Sequence, residues 1–283
     1  MHIPAPLRPS PLLYCVVLLL SLLVGKSWSA STEYIIGVVP QMPPVTMHTN
    51  WTPFVERLAK ETGLNLKLKV YEQMDAFEND FQSGTPDFLF SSPTQITLAR
   101  ESQGYIPLVR NSQTIKGILF VKKDSPYNDV SQLEGKNISF VGSKNLCSIF
   151  VRHELASNQP TKIKFNRIYA GSTNNVYKTV ILGKADAGAT LDVDIGRESP
   201  EITEQLRTIM STEEINPHPL SAHPRVPEAI QQQVKETVLR LGKEESSQEM
   251  LKAIRIPKPV AADYIRDYKE IEVVNIRELS SEQ

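Results

Sequence analysis

Tyr34-Ile35-Ile36-Gly37-Val38-Val39 is an unbroken apolar run that stops at Pro40. A strand covered on both faces, as in the middle of a parallel sheet, needs such a run. Pro43 and Pro44 then read as loop. Beyond them Trp51, Phe54, Val55 and Leu58 recur at helical spacing, with Asn50 placed as the cap and Gly63 as the stop. Leu64 to Val70 alternates apolar with polar residues, which predicts a half-buried strand. A helix through Phe77 and Phe81 runs to Ser83-Gly84, and Asp87-Phe88-Leu89-Phe90 supplies a third strand. Strands alternating with helices predict a mostly parallel sheet flanked by helices.

The pattern begins again in mid-chain. Gly117-Ile118-Leu119-Phe120-Val121 and Asn137-Ile138-Ser139-Phe140-Val141 read as strands, joined through Leu133-Glu134-Gly135-Lys136. A helix from about Ser148 to Ala156, a strand near Ile168 and a helix holding Val176, Val180 and Ile181 follow. Asp186-Ala187-Gly188-Ala189-Thr190 closes the unit as a strand. Two α/β units in succession predict two lobes. The last third reads as mainly helical: Pro227 opens a helix striped by Ile230, Val234, Val238 and Leu241, and Gly242 closes it. Asn216-Pro217-His218-Pro219-Leu220 reads as a connection between lobes. No repeat of solenoid length is evident.

Composition sets the outer limits. The chain has 283 residues, 40% hydrophobic and 22% charged, which excludes disorder as its main state and is enough for two modest domains. Arg8, the apolar stretch Leu12 to Val24, and Ser27 and Ser29 before Ala30 predict a secretory signal over residues 1–29. The apolar stretch is shorter than the roughly 20 residues a spanning helix requires. Removing Arg8 and Lys26 from 31 basic residues leaves 29 against 32 acidic ones, a balance that excludes whole-molecule attraction for nucleic acid. Cys15 would leave with the signal, and Cys147 alone forms neither a disulfide nor a zinc cluster.

In open α/β sheets ligands bind beyond the carboxyl ends of strands. Four stretches qualify: Pro40 to Pro44, which includes Gln41; Ser91-Ser92-Pro93-Thr94; Gly142-Ser143-Lys144-Asn145; and Gly171-Ser172-Thr173-Asn174. Small polar loops ahead of helices aim backbone N–H groups and hydroxyls at an anion. Ordinary helix capping uses the same residue types, so each loop alone is ambiguous. Together the four predict a ligand cleft. Cys147 at a helix start would be an activated thiol only with a base beside it, and spacing brings none of His48, His153, His218 or His223 to it. His218 and His223 without nearby carboxylates make no metal site, and phosphate-loop, dinucleotide and HExxH motifs are absent. No catalytic residue, metal or cofactor is expected.

Longer stretches carry a family resemblance. Pro217-His218-Pro219-Leu220-Ser221-Ala222-His223-Pro224-Arg225-Val226-Pro227 resembles the C-terminal signature of the phosphate, phosphite and phosphonate substrate-binding proteins of ABC importers. Gly171-Ser172 through Gly183-Lys184-Ala185-Asp186-Ala187-Gly188-Ala189-Thr190 is similar to that family's central segment, Leu133-Glu134-Gly135-Lys136 with Ile138-Ser139-Phe140 to another, and Ala261-Ala262-Asp263-Tyr264 to its tail. The resemblance implies a type II periplasmic binding protein with two α/β lobes, residues 30–114 plus 211–283 and residues 115–210, joined by two crossovers. It places Ser91, Ser92, Thr94, Ser143, Asn145, Ser148, Ser172, Thr173 and Asp192 in ligand-facing neighbourhoods. Thr173 and Asn174 stand where the family tends to carry His, and Lys144 would add positive charge.

The leading expectation is therefore a periplasmic solute-binding protein that closes on a small, phosphonate- or phosphate-like anion and presents it to an importer permease. The same fold would also serve a sensory module signalling to a membrane kinase or cyclase. A hydrolase using Cys147 is the third reading.

Overall fold

The computed structural model describes residues 32–157 and 162–281, together with His2. The expected signal over residues 1–29, with Cys15 in it, otherwise lies outside the described residues. Among the described residues eleven strands form two sheets: β1 Glu33–Val38, β2 Asn65–Val70, β3 Phe88–Phe90, β4 Ile106–Asn111, β5 Gly117–Lys122, β6 Asn137–Phe140, β7 Asn166–Tyr169, β8 Ala187–Leu191, β9 Leu206–Ser211, β10 Pro219–Ala222 and β11 Pro259–Ala261. The helices are α1 Pro44–Thr62, α2 Met74–Gln82, α3 Pro93–Gln103, α4 Leu146–Ser157, α5 Thr173–Ile181, α6 Asp192–Ile195, α7 Pro200–Thr203, α8 Glu228–Leu241, α9 Gln248–Ala253, α10 Tyr264–Asp267 and α11 Ile276–Ser281.

The first sheet has the order β11-β4-β10-β3-β1-β2 and the second β7-β6-β8-β5-β9. Direct parallel pairing is confined to β2-β1-β3 and β7-β6-β8; the remaining neighbours are antiparallel. Most strands of each sheet still point one way, because β10, β11 and β5 are the ones that run against the rest. Residues 112–116 and 212–218 carry the chain across and back, and they pair with each other through Ile115 and Ile215, N–H to carbonyl at 2.9 Å both ways.

Strand alternation builds the second core. Leu119 and Val121 face one cluster with Leu146, Val151 and Leu155 of α4, while Phe120 between them faces Val176, Tyr177 and Val180 of α5. The first sheet buries Ile36, Val38, Phe88 and Phe90 against Trp51, Phe54 and Leu58 of α1, and that cluster reaches across to Ile149 of α4. The last helix, α11, also packs on α4.

Two sequence expectations are corrected, and a third, Gly242 as the end of α8, holds for a different reason. α1 begins at Pro44, where a missing N–H costs nothing, so Asn50 lies inside it and its amide meets Met42 Sδ. Gly242 ends α8 with ordinary right-handed φ; what needs glycine is Pro259, whose Cγ would lie 2.3 Å from an added Cβ. Pro219–Ala222 is a strand, inserted between β3 and β4. Proline is tolerated there because it is the strand's first residue.

Candidate functional site

The carboxyl ends of parallel strands from both sheets open onto one cleft of about 570 Å³, within the usual range for small-molecule sites. β1 delivers Val39 to Met42, β3 delivers Ser92, β6 delivers Val141 to Asn145, and β7 delivers Gly171 to Thr173. All four loops lead into helices, including the Pro40–Pro44 loop ahead of α1.

Three of those helices aim a capped N-terminus at the cleft. Ser92 Oγ accepts from Gln95 N–H at 3.2 Å and Gln95 Oε1 from Ser92 N–H at 3.0 Å, a reciprocal cap on α3. Asn145 Oδ1 accepts from Ser148 N–H at 3.2 Å at the start of α4, and Ser172 Oγ from Asn175 N–H at 3.3 Å at the start of α5. Buried Arg152 donates to the Ser143 carbonyl at 2.6 Å and the Ser148 carbonyl at 3.0 Å, tying the third loop to α4. Partial positive charge of the aligned helix dipoles thus converges on one space.

Of the residues singled out from sequence, Gln41, Ser92, Ser143, Lys144, Asn145, Ser172 and Thr173 line the cleft. Ser91, Thr94, Ser148, Asn174 and Asp192 do not. Ser91 is fully buried beside β10, its N–H donating to the Pro219 carbonyl. Thr94 Oγ1 is occupied by Ser92 Oγ at 2.9 Å, and buried Ser148 donates its hydroxyl to Asn145 Oδ1 at 3.4 Å. Asp192 Oδ1 accepts from Lys116 N–H at 2.9 Å and so holds a crossover. Asn174 is exposed on α5. Lys144 spans the cleft, its Nζ 2.7 Å from both Asp75 Oδ1 and Glu78 Oε2 on α2. Burial lowers the Lys144 pKa, but the hydrogen bonds it donates to Asp75 and Glu78 outweigh it and the net shift is upward.

Sequence reading missed the rest of the polar lining. Arg255, Asp194, Glu72 and Gln95 all border the cleft, and His218 forms part of its wall. His218 stacks on Phe90 with centroids 5.6 Å apart and pairs with the Gln41 amide. Burial, with Arg255 adding to it, lowers its pKa to about 3, so the ring is neutral in any ordinary buffer. Arg255 Nη1 lies 3.4 Å from Asp194 Oδ1. The signal for Arg255 was a non-glycine residue at a helix end, two positions before Pro257. Cys147 is buried, and burial pushes its thiol pKa well up, the opposite of what a nucleophile needs.

Comparison with known proteins identifies the family and the fold. The family profile for the ABC transporter, phosphonate, periplasmic substrate-binding protein matches residues 36–268. Among solved structures, PhnD1 from Prochlorococcus marinus in complex with methylphosphonate is 18% identical with a TM-score of 0.75, covering 87% of this chain and 98% of that one. A Xanthomonas citri protein bound to ATP is 17% identical at a TM-score of 0.70, covering 89% and 96%. A binding-protein component of an ABC phosphonate transporter from Pseudomonas aeruginosa is 13% identical at 0.64, covering 88% and 85%. No curated protein sequence matches the chain. Among the described residues no helix is long and apolar enough to cross a membrane. With the profile spanning both sheets, the chain belongs to the periplasmic substrate-binding proteins of phosphonate ABC transporters.

Proposed function

We propose that the protein captures a small phosphorus oxyanion in the cleft between its sheets and presents it to an importer permease, with no chemical step. The observation that carries this reading is the convergence of three helix N-termini, drawn from both sheets, on one cleft. Backbone N–H groups there, with the hydroxyls of Ser143, Ser172 and Thr173, match an acceptor-rich tetrahedral ligand. The family assignment favours import over the signalling role, and the buried thiol of Cys147 speaks against a hydrolase. Residues 1–29 would direct export and be removed. Residues 30–114 plus 211–283 and residues 115–210 would be the two lobes, turning about the paired crossovers at Ile115 and Ile215.

Thermal shifts of the exported, purified protein against phosphate, phosphite, alkylphosphonates, sulfate and carboxylates test the reading. A ligand at about 100-fold over its dissociation constant adds roughly 2.7 kcal/mol of stability. A shift with phosphorus oxyanions is the expected result. A shift only with carboxylates or uncharged metabolites would remove the ligand class.

A further inference from the structure

We infer that Arg255 is a ligand-gripping residue of the cleft, and that Asp194 is the counter-ion an anionic ligand displaces from it. The inference rests on the oxyanion reading above and names the charge that selects the ligand.

The backbone of Arg255 is the first observation. Its φ is +66°, and among the described residues every other positive φ belongs to glycine. It sits just past the end of α9, with Arg255 N–H on the Lys252 carbonyl at 3.0 Å and Ile256 N–H on the Leu251 carbonyl at 2.9 Å. That hydrogen-bond pair closes helices on a left-handed residue, and glycine takes the position most cheaply. Leu251 and Ile256, both buried, complete the apolar clasp that accompanies it. Arginine here accepts backbone strain that glycine would avoid, so the side chain has to supply the compensation.

The guanidinium itself is the second observation. It borders both the main cleft and a smaller cavity of about 70 Å³ beside it, bounded also by Leu191 and His218. Its side chain is 24% exposed, and among the described residues its ionic partner is Asp194, at 3.4 Å. Asp194 is shared, since Arg197 Nη1 lies 3.8 Å from the same oxygen. Neighbouring His218 is neutral and carries no charge to the group. Two guanidinium groups share that one carboxylate, so Asp194 neutralises Arg255 only in part; Glu72 is the other carboxylate bordering the cleft. A guanidinium offers five N–H donors in a planar fork, and one 3.4 Å contact leaves that capacity largely unused. A tetrahedral oxyanion accepts two parallel N–H bonds from such a fork, in the geometry arginine favours.

Isothermal titration of the purified wild type, Arg255→Gly and Asp194→Asn with inorganic phosphate and with methylphosphonate, beside thermal melts of all three, separates gripping from bracing. Arg255→Gly is expected to melt at or above the wild type, because glycine suits the left-handed backbone. It should bind at least about tenfold more weakly, as for one lost charge-assisted contact. Asp194→Asn should bind several-fold more tightly, because the competing carboxylate is gone. Arg255→Gly binding like the wild type would overturn the assignment while leaving the oxyanion reading intact. So would both variants losing melting temperature and affinity together, the mark of a brace between the sheets. A wild type silent to both anions would overturn the oxyanion reading and this inference with it.

Discussion

His218 shows how burial sets the charge of a cleft residue. Its native pKa of about 3 lies below the ordinary histidine value, so the unfolded chain takes up a proton that the native ring refuses. Stability contributed by the neutral ring is complete above about pH 6.5 and falls as pH drops toward 3, by up to about 1.4 kcal/mol per unit. Urea unfolding between about pH 6.5 and 4.5 should show this slope, and His218→Gln should flatten it. An unchanged slope in the variant would place the titration elsewhere. Asp267, held at about 2 against the cost of burial by Arg266 and Arg110, adds acid sensitivity only below about pH 4. At Ser172 the cap and the ligand make opposite demands. Ser172→Asp keeps a good cap but sets a negative charge in the cleft, so melting should hold while affinity for phosphorus oxyanions falls at least about tenfold. Equal affinity would show that no anion sits near α5. The loop residues Ser92, Ser143, Asn145, Ser172 and Thr173 were legible because strand ends and caps are local patterns. Arg255 and Asp194 were not, since they meet only when residues 61 positions apart in the chain are folded together.

At the scale of elements, β8 and α5 are matched to the absence of a side chain at Gly188. An added Cβ would lie 2.7 Å from Phe120 Cζ and 2.9 Å from both Val176 Cγ1 and Val180 Cγ2. Gly188→Ala should therefore destabilise by about 1–3 kcal/mol in chemical unfolding, and wild-type stability would show that α5 shifts freely. Elements with a strong period, such as α8 with Val234, Val238 and Leu241 buried, were read correctly from their stripes. The strands that escaped notice are β4, β9, β10 and β11, all of them held to their neighbours by antiparallel pairing and with little pattern of their own. β10 has four residues and opens on proline, so only its place between β3 and β4 makes it a strand. The start of α1 escaped for a related reason: Pro43-Pro44 reads as loop in isolation, yet proline suits the first turn of a helix.

For the whole molecule, the restart of the strand pattern at Gly117 made the two-sheet plan visible, because each sheet needs its own apolar runs. What closes the cleft was not visible, since Lys144 finds Asp75 and Glu78 from the opposite side. Such partly exposed pairs contribute little to folding, about 0–1 kcal/mol each, yet two on one ammonium tie the loop before α4 to α2. Lys144→Met should enlarge the ligand-free radius of gyration in solution scattering while leaving the liganded value unchanged. An identical ligand-free radius would show that the pair does not restrain opening. α11 packs on α4 as well, so Lys144 is not the only tie between these parts of the described chain. The most direct test of the account is a crystal structure of the exported protein grown with methylphosphonate. Phosphonate density is expected among the starts of α3, α4 and α5, with the Arg255 guanidinium turned toward it. An empty cleft, with the anion instead in the groove between Arg100 and Tyr264, would contradict it.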